Sequence, residues 1–155
     1  MPMKGRQKTF TLGGRNVQFG FLYLTLADSS RLSRLRNMEK INSYELFNLL
    51  GNPVASPKNK QSLICFIKED CPTCREIIPL LDSLHKTLGE NIIMHVIGQE
   101  REGNQRLEDE HKPDFTILDD SALLVSYSLK IEIVPTIIAV NEDGFIREKL
   151  VGFVK

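Results

Sequence analysis

Cys71 and Cys74 stand two residues apart in the stretch KEDCPTCREIIPLLDSL, residues 68–84. Two thiols at that spacing can cycle between dithiol and disulfide, supply half of a zinc site, or simply fill a core as small hydrophobes. A zinc site needs about four ligands. This chain offers one cysteine pair, and His85, His95 and His111 are scattered without H-x-x-x-H spacing, so no complete zinc site is expected and no metal or other cofactor is assigned. The surroundings favour redox chemistry over a core pair. Cys71 falls where an apolar run has ended and a helical pattern begins, and Pro72 occupies the first helical position, where proline is favoured. Cys71 is therefore the expected N-cap, its sulfur facing unpaired backbone N–H groups and the positive end of the helix dipole, which favours a nucleophilic thiolate. Cys74, one turn on, is placed to resolve a mixed disulfide, so Cys71 attacks and Cys74 resolves. Thr73 and Pro72 fill the space between them. Glu69 and Asp70 set up to two negative charges beside the thiolate and oppose the helix end, so the pair is expected to act as a reductase and not as a strong oxidant.

The elements that must position this pair follow from periodicity. SLICFI (62–67) is a short apolar run of the kind buried in a parallel sheet. Residues 71–88 read as a helix with Ile77, Leu81, Leu84 and Leu88 on one stripe, ended by Gly89. NIIMHVIG is a second buried strand, and EREGNQRLEDEHKPD a charged, partly helical connection. FTIL is a short strand, after which Asp119 or Asp120 caps a helix in SALLVSYSL. PTIIAV, the turn NEDG and FIREKLVGF close the chain as an antiparallel hairpin. This alternation argues for an α/β fold with a mixed sheet.

Ahead of this region, Thr9–Leu12 and Val17–Leu26 flank GGRN as a β-hairpin. RLSRLRNMEK (31–40) sets Leu32, Leu35 and Met38 at helical spacing, and Ser43 is expected to cap a short helix over YELFNLL that Gly51 stops. The resulting division is an N-terminal appendage, 1–50, a Pro-containing linker loop, 51–61, and one domain, 62–155. Composition agrees with a globular chain of this size: 41% apolar and 26% charged residues exclude a disordered segment. Twenty basic and twenty acidic side chains give no net charge, so nothing points to nucleic acid. Residues 1–40 do carry eight basic side chains against Asp28 and Glu39, which reads as a solvated face. Three cysteines are too few for a disulfide scaffold. VQFGFLYLTLA (17–27) has the outline of a secretory signal, but Gln18, Gly20 and Thr25 interrupt it and it falls short of a membrane span. The expectation from this segment is a cytoplasmic protein.

The order Cys71-Pro-Thr-Cys74, Pro79 in the same helix, IVPT (133–136) leading a strand, then EDG in a hairpin resembles the thioredoxin superfamily. The resemblance covers about residues 62–153. The strand and helix between the two motifs are similar to the branch holding the extracytoplasmic thiol–disulfide reductases of cytochrome maturation (the TlpA type) and the redoxins. The CPxC…PLL form also resembles the thioredoxin-like accessory proteins of methylamine dehydrogenase. The resemblance implies a thioredoxin-like mixed sheet flanked by helices, thiol–disulfide exchange with protein partners, and an upstream electron donor or acceptor. It further implies a cis Val134–Pro135 bond beside the cysteines, with Val134, Pro135 and Thr136 contacting substrate, and an extracytoplasmic site of action as the alternative location, where a membrane tether is possible but not one encoded in this chain. Departures are also visible. No tryptophan precedes the first cysteine, Asp70 standing there instead. Cys65 occupies the strand position where thioredoxins bury an aspartate; it reads as a core residue or as a third thiol beneath the pair. The chain stops where the fold normally adds a final helix, so either the sequence is a fragment or another element covers that face. Two alternatives stay open: an accessory or binding module whose cysteine pair is structural or regulatory, and a thiol peroxidase, which would want threonine where Lys68 stands.

Overall fold

The computed structural model describes residues 9–12, 15–18 and 39–152. Its N-terminal strands, β1 (Thr9–Leu12) and β2 (Arg15–Gln18), pair antiparallel. The hairpin is thus as expected, with its second strand starting two residues earlier. The remainder of that second strand and the helix expected over 31–38 lie outside the described residues. Glu39 and Lys40, the last residues of that expected helix, are extended instead. Lys40 bridges to Phe145, and the Ile146 N–H donates to the Glu39 carbonyl at 2.8 Å.

Seven further strands form one mixed sheet: β3 (Glu45–Asn48), β4 (Pro53–Ala55), β5 (Gln61–Ile67), β6 (Ile92–Gly98), β7 (Ile117–Asp119), β8 (Thr136–Val140) and β9 (Ile146–Val151). Their order across the sheet is β4-β3-β7-β6-β5-β8-β9. β5, β6 and β7 run parallel, while β8, β9, β3 and β4 add antiparallel neighbours. β5 sits near the centre, paired on both sides, and every one of its residues is buried. That is why Leu63–Ile67 is an apolar run without alternation.

Among the described residues three helices accompany the sheet: α1 (Pro72–Leu88), α2 (Arg101–His111) and α3 (Leu124–Ser128). α1 buries Cys74, Ile77, Ile78, Leu81, Leu84 and Leu88 and ends at Gly89, whose φ of +63° suits glycine. With Leu107 of α2 these residues cover Leu63, Cys65, Ile67 and Val96 on one face of the sheet. Ile64, Phe66, Ile97 and Ile138 point to the other face, where Leu46, Val125 and Leu129 pack. Each fully buried Leu or Ile contributes about 1.5–3 kcal/mol. Asp120, and not Asp119, organises the start of α3: its buried carboxylate accepts the Val125 and Ser126 N–H groups at 3.1 and 2.8 Å and the Ser126 hydroxyl at 2.7 Å.

The helix expected from Ser43 is a strand. In β3 Leu46 points inward while Glu45 and Phe47 are exposed, a period of two that pairing with β4 and β7 enforces. The connection is a tight turn: the Asn48 side chain accepts the Leu50 and Asn52 N–H groups at 3.0 and 2.9 Å, and Gly51 adopts φ +84°. Residues 45–48, expected in the appendage, and 53–55, expected in the linker, are therefore hydrogen-bonded into the same sheet as the rest. Pro53 opens the edge strand, the position in a sheet where a missing N–H does least harm.

Candidate active site

β5 ends at Ile67, a turn closed by the Cys71 N–H on the Lys68 carbonyl (3.3 Å) follows, and α1 begins. Cys71 is the N-cap of α1 with extended backbone (φ −95°, ψ 109°). Its sulfur accepts the Cys74 N–H at 3.2 Å, satisfying one of the donors a helix start leaves free. The two cysteines come within 2.8 Å of each other, and both are free thiols. Cys71 is partly exposed, whereas Cys74 is wholly buried. Burial, followed by the hydrogen bond with Cys71, pushes the Cys74 thiol far above the ordinary thiol range. Pro72 is exposed and Thr73 half-buried between them, and Pro79 lies on the exposed side of α1.

From the other side, the segment leading into β8 closes on the same sulfur. The Val134–Pro135 bond is cis, and the Cys71 thiol donates to the Val134 carbonyl at 3.6 Å. Val134 is half-buried and Pro135 buried. The Thr136 side chain turns inward, buried, and its hydroxyl donates to the Ile133 carbonyl, so it presents no side chain outward. Cys65 lies in the core beneath α1, and burial pushes its thiol up to about 12. Half-buried Tyr44 and buried His95 form a separate pair, with the Tyr44 hydroxyl 2.7 Å from His95 Nδ1. Among the described residues no cluster of His, Cys, Asp and Glu could hold a metal ion, and no helix is long and apolar enough to cross a membrane.

The acidic residues ahead of Cys71 are not the free charges expected. Lys68 Nζ lies 3.3 Å from Asp70 and 3.3 Å from Glu100. Glu69 binds the Arg106 guanidinium through both carboxylate oxygens, at 2.6 and 2.7 Å, and also meets Arg75. Each negative charge therefore has a cation beside it, and the opposition to a Cys71 thiolate is weaker than their count suggests. Reading the sequence missed Arg106 and Arg75. Its one pointer was Gly103, a glycine inside a helical pattern, which marks a close backbone approach; a Cβ there would come within 2.8 Å of Glu69 Cβ.

No protein-family model matches the sequence. The chain is 30% identical over 73 residues to methylamine utilization protein MauD of Paracoccus denitrificans, a match that spans 44% of this chain and 36% of that protein. The chain thus matches about a third of the length of this curated relative. Among solved structures it is similar to StoA from Bacillus subtilis, with a TM-score of 0.65 and 18% identity over 73% of this chain and 90% of that one. It is similar also to the thioredoxin domain of a thiol-disulfide oxidoreductase from Bacteroides vulgatus, with a TM-score of 0.63 and 25% identity over 74% of this chain and 88% of that one. The chain has a thioredoxin-like α/β fold, shared with solved thiol–disulfide oxidoreductases.

Proposed function

We propose that this protein is a thiol–disulfide oxidoreductase that reduces disulfides in partner proteins through Cys71 and Cys74. One observation carries the reading: a partly exposed Cys71 sulfur at a helix N-terminus stands against the Val134 carbonyl, with a second, fully buried thiol directly behind it. The Cys71 thiolate attacks one sulfur of a substrate disulfide, forming a mixed disulfide and releasing the other substrate sulfur, which takes up a proton. Cys74 then loses its proton and attacks the Cys71 sulfur, closing the internal disulfide and releasing the second substrate thiol. Two electrons pass from the dithiol to the substrate, and an upstream dithiol donor returns them. The burial of Cys74 keeps it protonated until the mixed disulfide forms beside it, which separates attacker from resolver. The backbone of Val134, at the mouth of the site, can pair with an extended substrate segment in the manner of an added strand.

Insulin reduction by dithiothreitol, followed as turbidity, tests this. The wild-type protein should accelerate precipitation and Cys71→Ser should not. If the wild type adds nothing to the reagent, the cysteine pair is structural or regulatory and the protein is a binding module.

A further inference from the structure

Glu69, two residues before Cys71, is gripped from two helices. From α2, Arg106 Nε and Nη2 lie 2.6 and 2.7 Å from its two carboxylate oxygens, across 37 residues of sequence. From α1, Arg75 Nε donates to the Glu69 carbonyl at 3.0 Å, and Nη2 reaches its carboxylate at 3.4 Å. Arg75 also meets Glu110 of α2 at 3.9 Å. Gly103 lets α2 come this close, since any side chain there would strike Glu69. The Arg106 hydrogen bonds hold the Glu69 carboxyl below the usual carboxylate range. A two-pronged guanidinium–carboxylate pair is the geometrically specific kind of ion pair. Further charged or titrating groups around this turn are Lys68, Asp70, Glu100, Glu102 and Cys74; Lys68 joins Asp70 and Glu100, and Glu102 acts on Arg106.

We propose that Arg106 is a positioning residue for the thiol chemistry at Cys71, acting through Glu69. By pairing with Glu69 it cancels a negative charge on the approach to Cys71 and fixes the turn that presents that sulfur. The inference rests on Cys71 being the attacking thiol. Without Arg106, the Glu69 carboxylate keeps only the longer contact to Arg75, and its less compensated charge disfavours the neighbouring thiolate. A scarcer thiolate makes attack slower at neutral pH, and a less stable reduced form makes the pair more reducing. A unit charge about 10 Å away shifts a titration by roughly one pH unit unscreened, and by about half a unit at ordinary salt.

The test is the rate of iodoacetamide alkylation of Cys71 against pH, assigned by peptide mass spectrometry, with the reduction potential measured alongside. Wild type, Arg106→Ala, Arg106→Lys, Glu69→Gln and the Arg106→Ala/Glu69→Gln double variant are compared. Arg106 is more than half exposed, so its truncation leaves the core untouched. Arg106→Ala should move the alkylation midpoint up by about half a pH unit, slow the reaction at pH 7 about threefold and make the potential more negative. Arg106→Lys should recover most of the shift, and removing the charge of Glu69 in the double variant should abolish it. An unchanged midpoint in Arg106→Ala overturns the proposal, as does a shift that persists in the double variant. If Cys71 of the wild type is not the thiol that alkylates, the functional reading fails first and this one with it.

Discussion

His95 makes the stability of this fold depend on pH. It lies on β6, 8% exposed, with Nδ1 against the Tyr44 hydroxyl, and desolvation lowers its pKa from 6.5 to about 4. A charged imidazole is thus disfavoured in the folded chain and free to form in the unfolded one. The unfolded state binds the extra proton as pH falls below 6.5, so the contribution of His95 is complete above that value and is lost down to about pH 4. A depression of this size corresponds to about 3 kcal/mol in full, of which about 2.5 kcal/mol is gone by pH 4.5. Against a typical domain stability of about 5–15 kcal/mol, that loss is easily measured. Urea unfolding under reducing conditions at pH 7.5, 6.5, 5.5 and 4.5, for wild type and His95→Gln, isolates the effect. Glutamine keeps an acceptor for Tyr44 but cannot titrate, and carboxylates that titrate in the same window are common to both proteins. The wild type should lose about 2.5 kcal/mol more than the variant between pH 7.5 and 4.5. Parallel curves, with a gap constant to within about 0.5 kcal/mol, would refute the reasoning.

Three further outcomes are expected. Native iodoacetamide treatment should label Cys71 and leave Cys74 unlabelled until denaturant is added; equal labelling would contradict the burial of Cys74. Cys65→Ala should keep most of the insulin-reducing turnover and lose about 1 kcal/mol of stability, because a buried thiol behaves as a small hydrophobe and its removal leaves a small void. A loss of turnover as large as that of Cys74→Ser would make Cys65 part of the chemistry. Asp120→Ala should cost about 3 kcal/mol in urea unfolding, since it strands two backbone N–H groups and the Ser126 hydroxyl in the core; a loss below about 1 kcal/mol would show that water replaces the carboxylate.

What the sequence made legible is what local chemistry decides. Cys71-Pro72 after an apolar run marked a helix start, and the N-cap geometry followed because the two residues that specify it are adjacent. β5 was legible because a strand enclosed on both faces needs no alternation. SYELFNLLG was not, for it carries a serine cap, helix-favouring Glu and Leu, and a terminal glycine, all of which fit a helix. Strand pairing outweighed them, with the Asn48 side chain folding the turn that returns the chain into β4. The charges around the site were legible as residues but not as pairs. Nothing near Glu69 in the sequence names Arg106 as its partner, because only the packing of α2 on the turn brings them together.

The central place of β5 also bears on how the protein breathes. Its backbone is bonded to β6 along one side and β8 along the other, beneath two layers of packed side chains. Amide protons in such a strand exchange with solvent only when the whole domain opens, whereas a three-residue margin such as β4 exchanges through local fraying. Cys71 is thus mounted at the tip of the slowest-exchanging segment. The frame that carries the thiol stays closed through the smaller motions of the sheet margin.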